Sequence, residues 1–257
     1  MFIDTHAHLT MPEYSDLSEV LQRALAEKVE AFICPGFDLE SSKQAVNLAR
    51  DFFNIYACVG VHPHDAGDAS TSLSVQDTLK TLAKQKKVVA IGEAGLDYFR
   101  NLSPKEVQIG LFRFQIRLAQ ELNLPLVVHS READEDTMRI LSEEDDGNLR
   151  VVLHCFAGSK LFLDWAIARN FMISFAGMIT FPKAHNLREI VRVTPLSHIL
   201  LETDCPYLSP QEKRGQRNEP AFLKYIAQEI AHVKGTSQEE VGVYTTQNAR
   251  KFFGLEK

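Results

Sequence analysis

Short runs of apolar residues recur along the whole chain, and stretches with helical periodicity separate them. Runs of this length suit strands that are buried on both faces of a sheet. Eight strand candidates lie near residues 2–5, 31–34, 55–60, 88–92, 126–129, 151–154, 171–175 and 198–202. Strands that alternate with helices pair in parallel, because each helix carries the chain back along the sheet. The pattern therefore predicts an α/β fold.

The helical segments show apolar stripes and start signals. Between Leu17 and Leu25 the apolar residues follow the i, i+3, i+4, i+7 spacing of one helix face. After the fourth strand, the sequence SPKE at residues 103–106 predicts a capping box with proline at the first helical position. The sequence TSQE at residues 236–239 predicts a similar start for the last helix.

Residues with metal-binding side chains directly follow five of the strand candidates. His6 and His8 follow the first, Glu93 the fourth, His129 the fifth, His154 the sixth and Asp204 the eighth. An open doubly wound sheet would not bring five separated strands to one point, whereas the strands of a closed barrel encircle one mouth. We therefore predict that residues 1–257 form a single (β/α)8 TIM barrel with an extra C-terminal helix.

The type and number of these side chains predict a metal site. Nitrogen and oxygen ligands suit hard or borderline divalent ions. Six ligands exceed what one tetrahedral ion needs, so we expect two ions, roughly 3.5–4 Å apart. The first ion would take His6, His8, Glu93 and Asp204, and the second Glu93, His129 and His154. Glu93 is the predicted bridge, with Mg²⁺ or Mn²⁺ expected in function and Zn²⁺ or other ions also able to bind.

Three residues are predicted to carry the chemistry. Glu93 would hold both ions, and Asp204 would accept the proton of a metal-activated water. His62 follows the third strand and could donate a hydrogen bond to substrate, protonate a leaving oxygen, or only pack. His64, two residues later, is expected on a surface loop.

The segments around these residues resemble the TatD family of metal-dependent deoxyribonucleases, within the amidohydrolase-like TIM-barrel superfamily. The matching segments are FIDTHAH at residues 2–8, GVHPH at 60–64, IGEAGLDY at 91–98, HSR at 129–131, HCFAG at 154–158, LETDCPYL at 201–208, RNEP at 217–220 and NAR at 248–250. The resemblance implies a TIM barrel, two divalent ions, hydrolysis of phosphodiester bonds, and the six residues above as ligands.

Three functions fit these features. The first is a metal-dependent deoxyribonuclease that acts as an exonuclease on single-stranded ends, with RNA as a further substrate. The second is a D-aminoacyl-tRNA deacylase that uses the same two-metal site. The third is a binding barrel without catalysis, which full retention of six ligands argues against.

Composition and charge constrain the partners. The chain is 45% hydrophobic and 24% charged, which suits a globular protein. Its net charge of −6 argues against coating nucleic acid by charge alone. Arg131 and Arg217 are nevertheless predicted to bind a nucleic acid substrate at the mouth, with Lys160, Lys183, Lys213 and Arg214 also on the rim. The acidic run at residues 143–146 is expected at the opposite end, where it would serve solvation.

The remaining expectations concern location. The four cysteines form no Cys-x-x-Cys pair, so we expect reduced, mostly buried thiols in a cytoplasmic protein. No apolar run is long enough for a membrane span. No obligate protein partner is predicted.

Overall fold

The computed structural model describes residues 1–69 and 73–255. In these residues, eight parallel strands form one sheet in which each strand pairs with the next along the chain. The strands are β1 (Phe2–Asp4), β2 (Val29–Pro35), β3 (Ile55–Val59), β4 (Val88–Asp97), β5 (Leu126–Arg131), β6 (Val151–Leu153), β7 (Met172–Phe175) and β8 (Ile199–Leu201). The predicted TIM barrel is confirmed, and β4 extends beyond its predicted end.

Helices connect the strands on the outside of the barrel. They are α1 (Leu17–Ala26), α2 (Leu39–Asp51), α3 (Ala66–Ala69), α4 (Leu73–Ala83), α5 (Lys105–Glu121), α6 (Asp134–Glu144), α7 (Lys160–Ala168), α8 (His185–Val193), α9 (Leu223–Lys234) and α10 (Gln238–Phe253). The predicted extra helix is α10. None of the helices in the described ranges is long and apolar enough to cross a membrane.

Polar contacts join β1 to β8 where the barrel closes. The Thr5 N–H donates to the carbonyl of Leu201 at 2.9 Å. The buried carboxylate of Asp4 accepts hydrogen bonds from the N–H and the hydroxyl of Thr203, at 3.0 and 2.6 Å. We call this closure the seam. It lies next to the histidine pair that follows β1 and to Asp204, which follows β8.

Two apolar layers stabilise the barrel. One lies between the strands and the surrounding helices, and the other fills the interior with side chains such as Ile3, Ile33 and Val127. Phe252 and Phe253 of α10 pack against the interior layer. Because Arg150, just before β6, donates to the carbonyl of Phe252, α10 covers the amino ends of the strands. The opposite end of the barrel is the mouth.

Both predicted helix starts are wrong in detail. The Ser103 hydroxyl does not cap α5 but accepts a hydrogen bond from the N–H of Gly67 at 2.9 Å, and Pro104 precedes the first helical residue. Helix α10 begins one residue later than predicted, because Ser237 is its N-cap and accepts from the N–H of Glu240 at 3.1 Å. The contact of Ser103 with Gly67 of α3 therefore takes the place of the predicted cap of α5.

The acidic run lies away from the mouth, as predicted, but it does more than face water. Glu144 pairs with Arg113 at 2.5 Å and with Arg117 at 2.7 Å, and Glu143 also pairs with Arg113. These ion pairs tie the end of α6 to α5. The prediction that the run serves solvation is therefore wrong for its first two residues. The four cysteines are free, and Cys155 is partly buried while the other three are buried, as predicted.

Candidate metal centre

The six predicted ligands converge at the mouth end of the barrel axis. Glu93 and His129 lie within β4 and β5, and the other four follow their strands. The most exposed side chain of the set is that of His129, at 18%. His62, which follows β3, joins the cluster at 3.4 Å from Glu93. The set is His6, His8, His62, Glu93, His129, His154 and Asp204. The structure therefore brings all the predicted ligands together.

Glu93 lies between two pairs of histidines, and its two oxygens face different pairs. Oε2 lies 3.4 Å from His6 Nε2 and 3.8 Å from His8 Nε2. Oε1 lies 2.8 Å from His154 Nε2 and 3.1 Å from His129 Nδ1. This arrangement is the one that a bridging carboxylate requires.

Asp204 completes the first of these groups. Its Oδ1 lies 3.4 Å from His8 Nε2 and 3.8 Å from His6 Nε2. The residue has a φ of +53°, which is uncommon for a residue with a side chain, and its N–H donates to the His6 carbonyl at 2.9 Å. This hydrogen bond crosses the seam and fixes the carboxylate beside the histidines.

An irregularity in β4 directs Glu93 into the barrel. The register between β4 and β5 shifts between Ile91 and Ala94, so two residues of β4 oppose one of β5. Gly92 lies in this shift at a φ of +134°, and a Cβ there would be 2.6 Å from the carbonyl oxygen of Val127. Glycine is therefore required where the chain turns its ligand inward.

His62 and His64 form one unit at the edge of the cluster. The N–H of His64 donates to His62 Nδ1 at 3.1 Å, which leaves Nε2 of neutral His62 as a donor facing Glu93. His64 Nε2 lies 2.8 Å from Oδ2 of Asp97, and its ring is 4.1 Å from that of His62. The prediction that His64 is a surface loop residue is therefore wrong, because this bond to a buried carboxylate holds it at the mouth.

Two buried carboxylates that the sequence reasoning missed lie behind the histidines. Asp97 Oδ2 is 3.3 Å from His129 Nε2, and Glu202 Oε1 is 3.3 Å from His154 Nδ1. In both cases the other ring nitrogen faces Glu93. Carboxylates in this position orient metal-bound histidines and fix their tautomer. A period of two could have found them, since Glu202 precedes Asp204 by two residues on the same strand end.

The pKa shifts of the buried histidines differ, because their charged neighbours differ. Burial lowers the pKa of His6, and it lowers the pKa of His62 to about 4, so both rings are neutral at pH 7. Burial also opposes protonation of His154, but the carboxylates of Glu93 and Glu202 raise its pKa well above the ordinary value. The negative charge that favours a proton on His154 would also favour a divalent cation at its Nε2, beside Glu93.

The carboxylates of the cluster are ionised. Burial acts to raise the pKa of Glu93, but the imidazoles of His154 and His62 hold it well below its usual range. Burial acts in the same direction on Asp204, where a hydrogen bond from His8 and the nearby histidines lower the pKa. Ionised carboxylates are the form that binds metal.

The spacing of the donors fits divalent ions. Donors held at about 2.1 Å from one ion lie roughly 3.0–3.4 Å apart in tetrahedral or octahedral shells. His6 Nε2 and His8 Nε2 are 3.2 Å apart, and His129 Nδ1 and His154 Nε2 are 3.3 Å apart. Each of these nitrogen pairs, with the oxygen of Glu93 that faces it, could therefore hold a divalent ion.

The two predicted substrate-binding arginines have different surroundings. Arg131 ends β5 and is exposed, with its guanidinium 3.9 Å from the ring centre of Phe99. Arg217 instead pairs with both oxygens of Asp16, at 2.7 and 2.9 Å, and lies over the ring of Tyr14. Three hydrogen bonds of Arg217, to the carboxylate of Asp16 and the carbonyl of Glu13, therefore hold the loop after β8 against the start of α1.

A barrel mouth that holds clustered histidines around a buried carboxylate is the architecture of metal-dependent hydrolases. The chain is one of these. It belongs to the family described as TatD related DNase, whose sequence model matches residues 3–254.

Individual relatives agree with this assignment. The chain is 44% identical to the uncharacterised metal-dependent hydrolase YabD of Bacillus subtilis, over 99% of this chain and 100% of that protein. It is 38% identical to the 3'-5' ssDNA/RNA exonuclease TatD of Erwinia amylovora, over 98% and 99% of the two chains. The crystal structure of YJJV, a TatD homologue from Escherichia coli K12, superposes with a TM-score of 0.92 at 29% identity, covering 99% of this chain and 98% of that one.

Proposed function

We propose that the protein is a two-metal exonuclease that hydrolyses phosphodiester bonds at the ends of single-stranded DNA, and also of RNA. The arrangement of Glu93 carries this proposal, because each of its oxygens faces a separate pair of histidines at 2.8–3.8 Å. Two ions held in this way suit in-line displacement at phosphorus. The 3'-5' exonuclease activity in the name of the Erwinia amylovora relative supports the choice of bond.

The mechanism assigns a role to each side chain. The first group, with His6 and His8, and the second, with His129 and His154, would each hold one ion through Glu93. Divalent ions in these positions would supply Lewis acidity and lower the pKa of bound water. Mg²⁺ and Mn²⁺ are the ions we expect in function.

Three residues of the chain then act on water and substrate. Asp204 is ionised and 14% exposed, so it can accept the proton of the attacking water. His62 is neutral, with its Nε2–H directed into the site, so it would donate a hydrogen bond to a phosphate oxygen. Arg131, whose charge forms no ion pair within the described ranges, would position a phosphate at the mouth.

We also propose that residues 1–257 act as one hydrolase domain in the cytoplasm, without an obligate protein partner. The family match, which runs from residue 3 to residue 254, supports a single functional unit. The four free cysteines support a reducing compartment.

A substrate panel tests the function. Purified protein would be assayed with 3′- and 5′-labelled single- and double-stranded DNA and RNA, and with D-aminoacyl-tRNA, under one Mg²⁺ or Mn²⁺ condition. We expect stepwise shortening of single strands that EDTA abolishes and added metal restores. Deacylation of the charged tRNA without strand shortening would favour the deacylase. Purified protein that binds no metal would favour the non-catalytic barrel.

Asp204→Asn tests the mechanism within that assay. Loss of a general base lowers turnover by about 10²–10⁴-fold, and any loss of metal would add to this. Asp51→Asn is the matched control, because Asp51 is a surface carboxylate at the end of α2 and pairs only with its neighbour Arg50 among the contacts described. Near-normal activity of Asp204→Asn, or of the chelated wild-type enzyme, would exclude this mechanism.

A further inference from the structure

A groove on the outside of the barrel runs along α8, beside the loop after β6 and the first residue of α7. Its volume is about 900 Å³. Residues 157–159, in the loop after β6, form one side of its upper end, and Met178 and Phe181 from the loop after β7 form the other. Leu187, Ile190 and Val193 of α8 continue the wall downward. The groove is therefore mainly apolar along its length.

The groove begins in the loop that follows the predicted ligand His154. Its first lining residue, Ala157, is three positions after His154 in the loop that leaves β6. The opposite loop is fixed to the loop after β8, because the N–H of Gln211 donates to the Thr180 hydroxyl at 2.8 Å. A chain that leaves the mouth between β6 and β7 would enter the groove directly.

Positive charge is concentrated at the upper end. Lys183 lines the groove at the start of α8 and forms no ion pair with any residue that the structure describes. The guanidinium of Arg214 lies 4.6 Å from the ring centre of Phe181, on the groove wall. The acid that lines the lower part, Glu189, is paired with Arg192 at 2.8 Å. An anionic ligand would therefore meet free cations where it leaves the mouth.

We propose that this groove holds the uncleaved part of the single-stranded substrate, a proposal that rests on the nuclease function above. Bases would pack on the apolar wall, and phosphates would meet Lys183 and Arg214, the combination by which proteins hold single strands. The nine residues of α8 span roughly 14 Å. At about 3.4 Å per stacked nucleotide, the groove has room for roughly four nucleotides.

Substrate length provides the first test. For oligonucleotides of two to twelve nucleotides, kcat/KM of the wild-type enzyme should rise with length and level off at about five or six. Lys183→Ala should lower the ratio of kcat/KM for the twelve-nucleotide and two-nucleotide substrates by roughly fivefold. Ala157→Trp, which places a bulky ring in the upper groove, should lower the same ratio. Lys86→Ala is the control, because Lys86 is an exposed lysine near the amino end of β4.

Binding provides a readout that does not depend on turnover. In an Asp204→Asn background, adding Lys183→Ala should reduce the salt slope of oligonucleotide binding by about 0.7, the value for one phosphate contact on a single strand. A photoreactive base placed three or four nucleotides from the cleaved end should cross-link to residues 178–193.

The outcomes separate the two proposals. Hydrolysis that is equally efficient at all lengths, or cross-links confined to the Phe99 and Arg131 side of the mouth, would overturn the groove and leave the nuclease intact. An absence of phosphodiester hydrolysis at every length would overturn the nuclease itself. An unchanged length ratio in both Lys183→Ala and Ala157→Trp would also exclude the groove.

Discussion

At the scale of single residues, Glu93 is expected to have the widest effect, because its two oxygens face both proposed ligand groups. Glu93→Ala should therefore impair both ion sites, whereas His129→Ala should affect mainly the second. Metal content measured after dialysis against excess Mn²⁺ checks this. We expect less than one ion per chain in Glu93→Ala and about one in His129→Ala. Retention of two ions by Glu93→Ala would exclude the bridging role.

Asp97 Oδ2 contacts His129 and His64, and we expect it to position both rings. Asp97→Asn keeps an oxygen that can accept the N–H of Arg100. It replaces the other carboxylate oxygen, which contacts His64 and His129, with an NH₂ group. Mn²⁺ affinity should fall about 10–100-fold while the thermal midpoint changes little. The ¹⁵N shifts of His129 should also report a changed tautomer. Asp136→Asn is the control, because Asp136 pairs with Arg139 on the surface. Equal affinities of Asp97→Asn and the wild type would contradict this role.

The sequence predicted the cluster well where each ligand directly follows an apolar run. His129 and His154 could be found in this way, because the end of a buried parallel strand must face the mouth. Asp97 and Glu202 carry a weaker signal, because their even spacing from Glu93 and Asp204 is visible in the sequence, but the histidine that each contacts follows from strand pairing and register alone. For Arg217, the location near the mouth could be predicted from the sequence, but the ion pair with Asp16 could not.

At the scale of elements, the path of β4 depends on glycines with positive φ. Gly95 has a φ of +141°, and a Cβ there would lie 2.0 Å from the backbone oxygen of His129. Gly95→Ala should therefore lower the free energy of unfolding by about 3 kcal/mol or more. Gly110→Ala is the control, because Gly110 is an exposed position of α5 where nothing lies within 4 Å of an added Cβ, and it should raise stability by about 0.5–1 kcal/mol. Urea denaturation measures the free energy of unfolding of both variants. Equal values for Gly95→Ala and Gly110→Ala would contradict the expected strain at Gly95.

The ion pairs between α5 and α6 should make stability depend on pH. Arg117, through a hydrogen bond, lowers the pKa of Glu144 from its ordinary value of 4.5. A carboxyl whose pKa is depressed by folding stabilises the protein above its unfolded pKa, and this contribution is lost as the pH falls through the folded pKa. Glu144→Gln should therefore cost about 1 kcal/mol at pH 7, and the difference should vanish as the pH falls through the lowered pKa of Glu144 in the folded protein.

Denaturation midpoints of the Glu144→Gln and wild-type proteins across pH check this expectation. Glu19→Gln is the control, because Glu19 is an exposed acid on α1 with no ion pair among the described contacts. A difference between Glu144→Gln and wild type that is independent of pH would show that packing, rather than charge, links the two helices.

Element types and order were predictable, but helix starts were less so. The strands could be found because continuous apolar runs signal burial on both faces. The start of α5 could not, because the hydroxyl of Ser103 bonds to Gly67 of another helix rather than to its own. A local motif predicts a cap only when no distant group competes for the same side chain.

At the scale of the whole molecule, the seam joins parts of the chain that are far apart in sequence. Asp4 and Thr203 are separated by 199 positions. Contacts over such distances carry the largest loop-closure entropy, so they are expected to form late in folding and to open early. The histidine pair and Asp204 lie on opposite edges of this junction, so an ion bound between them would act as a cross-link across it.

Amide hydrogen exchange would detect this cross-link. Removing metal should speed exchange at Thr5 and Asp204, whose N–H groups bond across the seam, by roughly tenfold or more. Exchange at Leu126, whose N–H bonds to the carbonyl of Arg150 between β5 and β6 and which is no candidate ligand, should change much less. Equal acceleration at both places would contradict the expectation. If exchange is faster at the seam alone, the concentration of free metal in the cell would determine how often the barrel opens there. It would then also determine how quickly proteases degrade the chain.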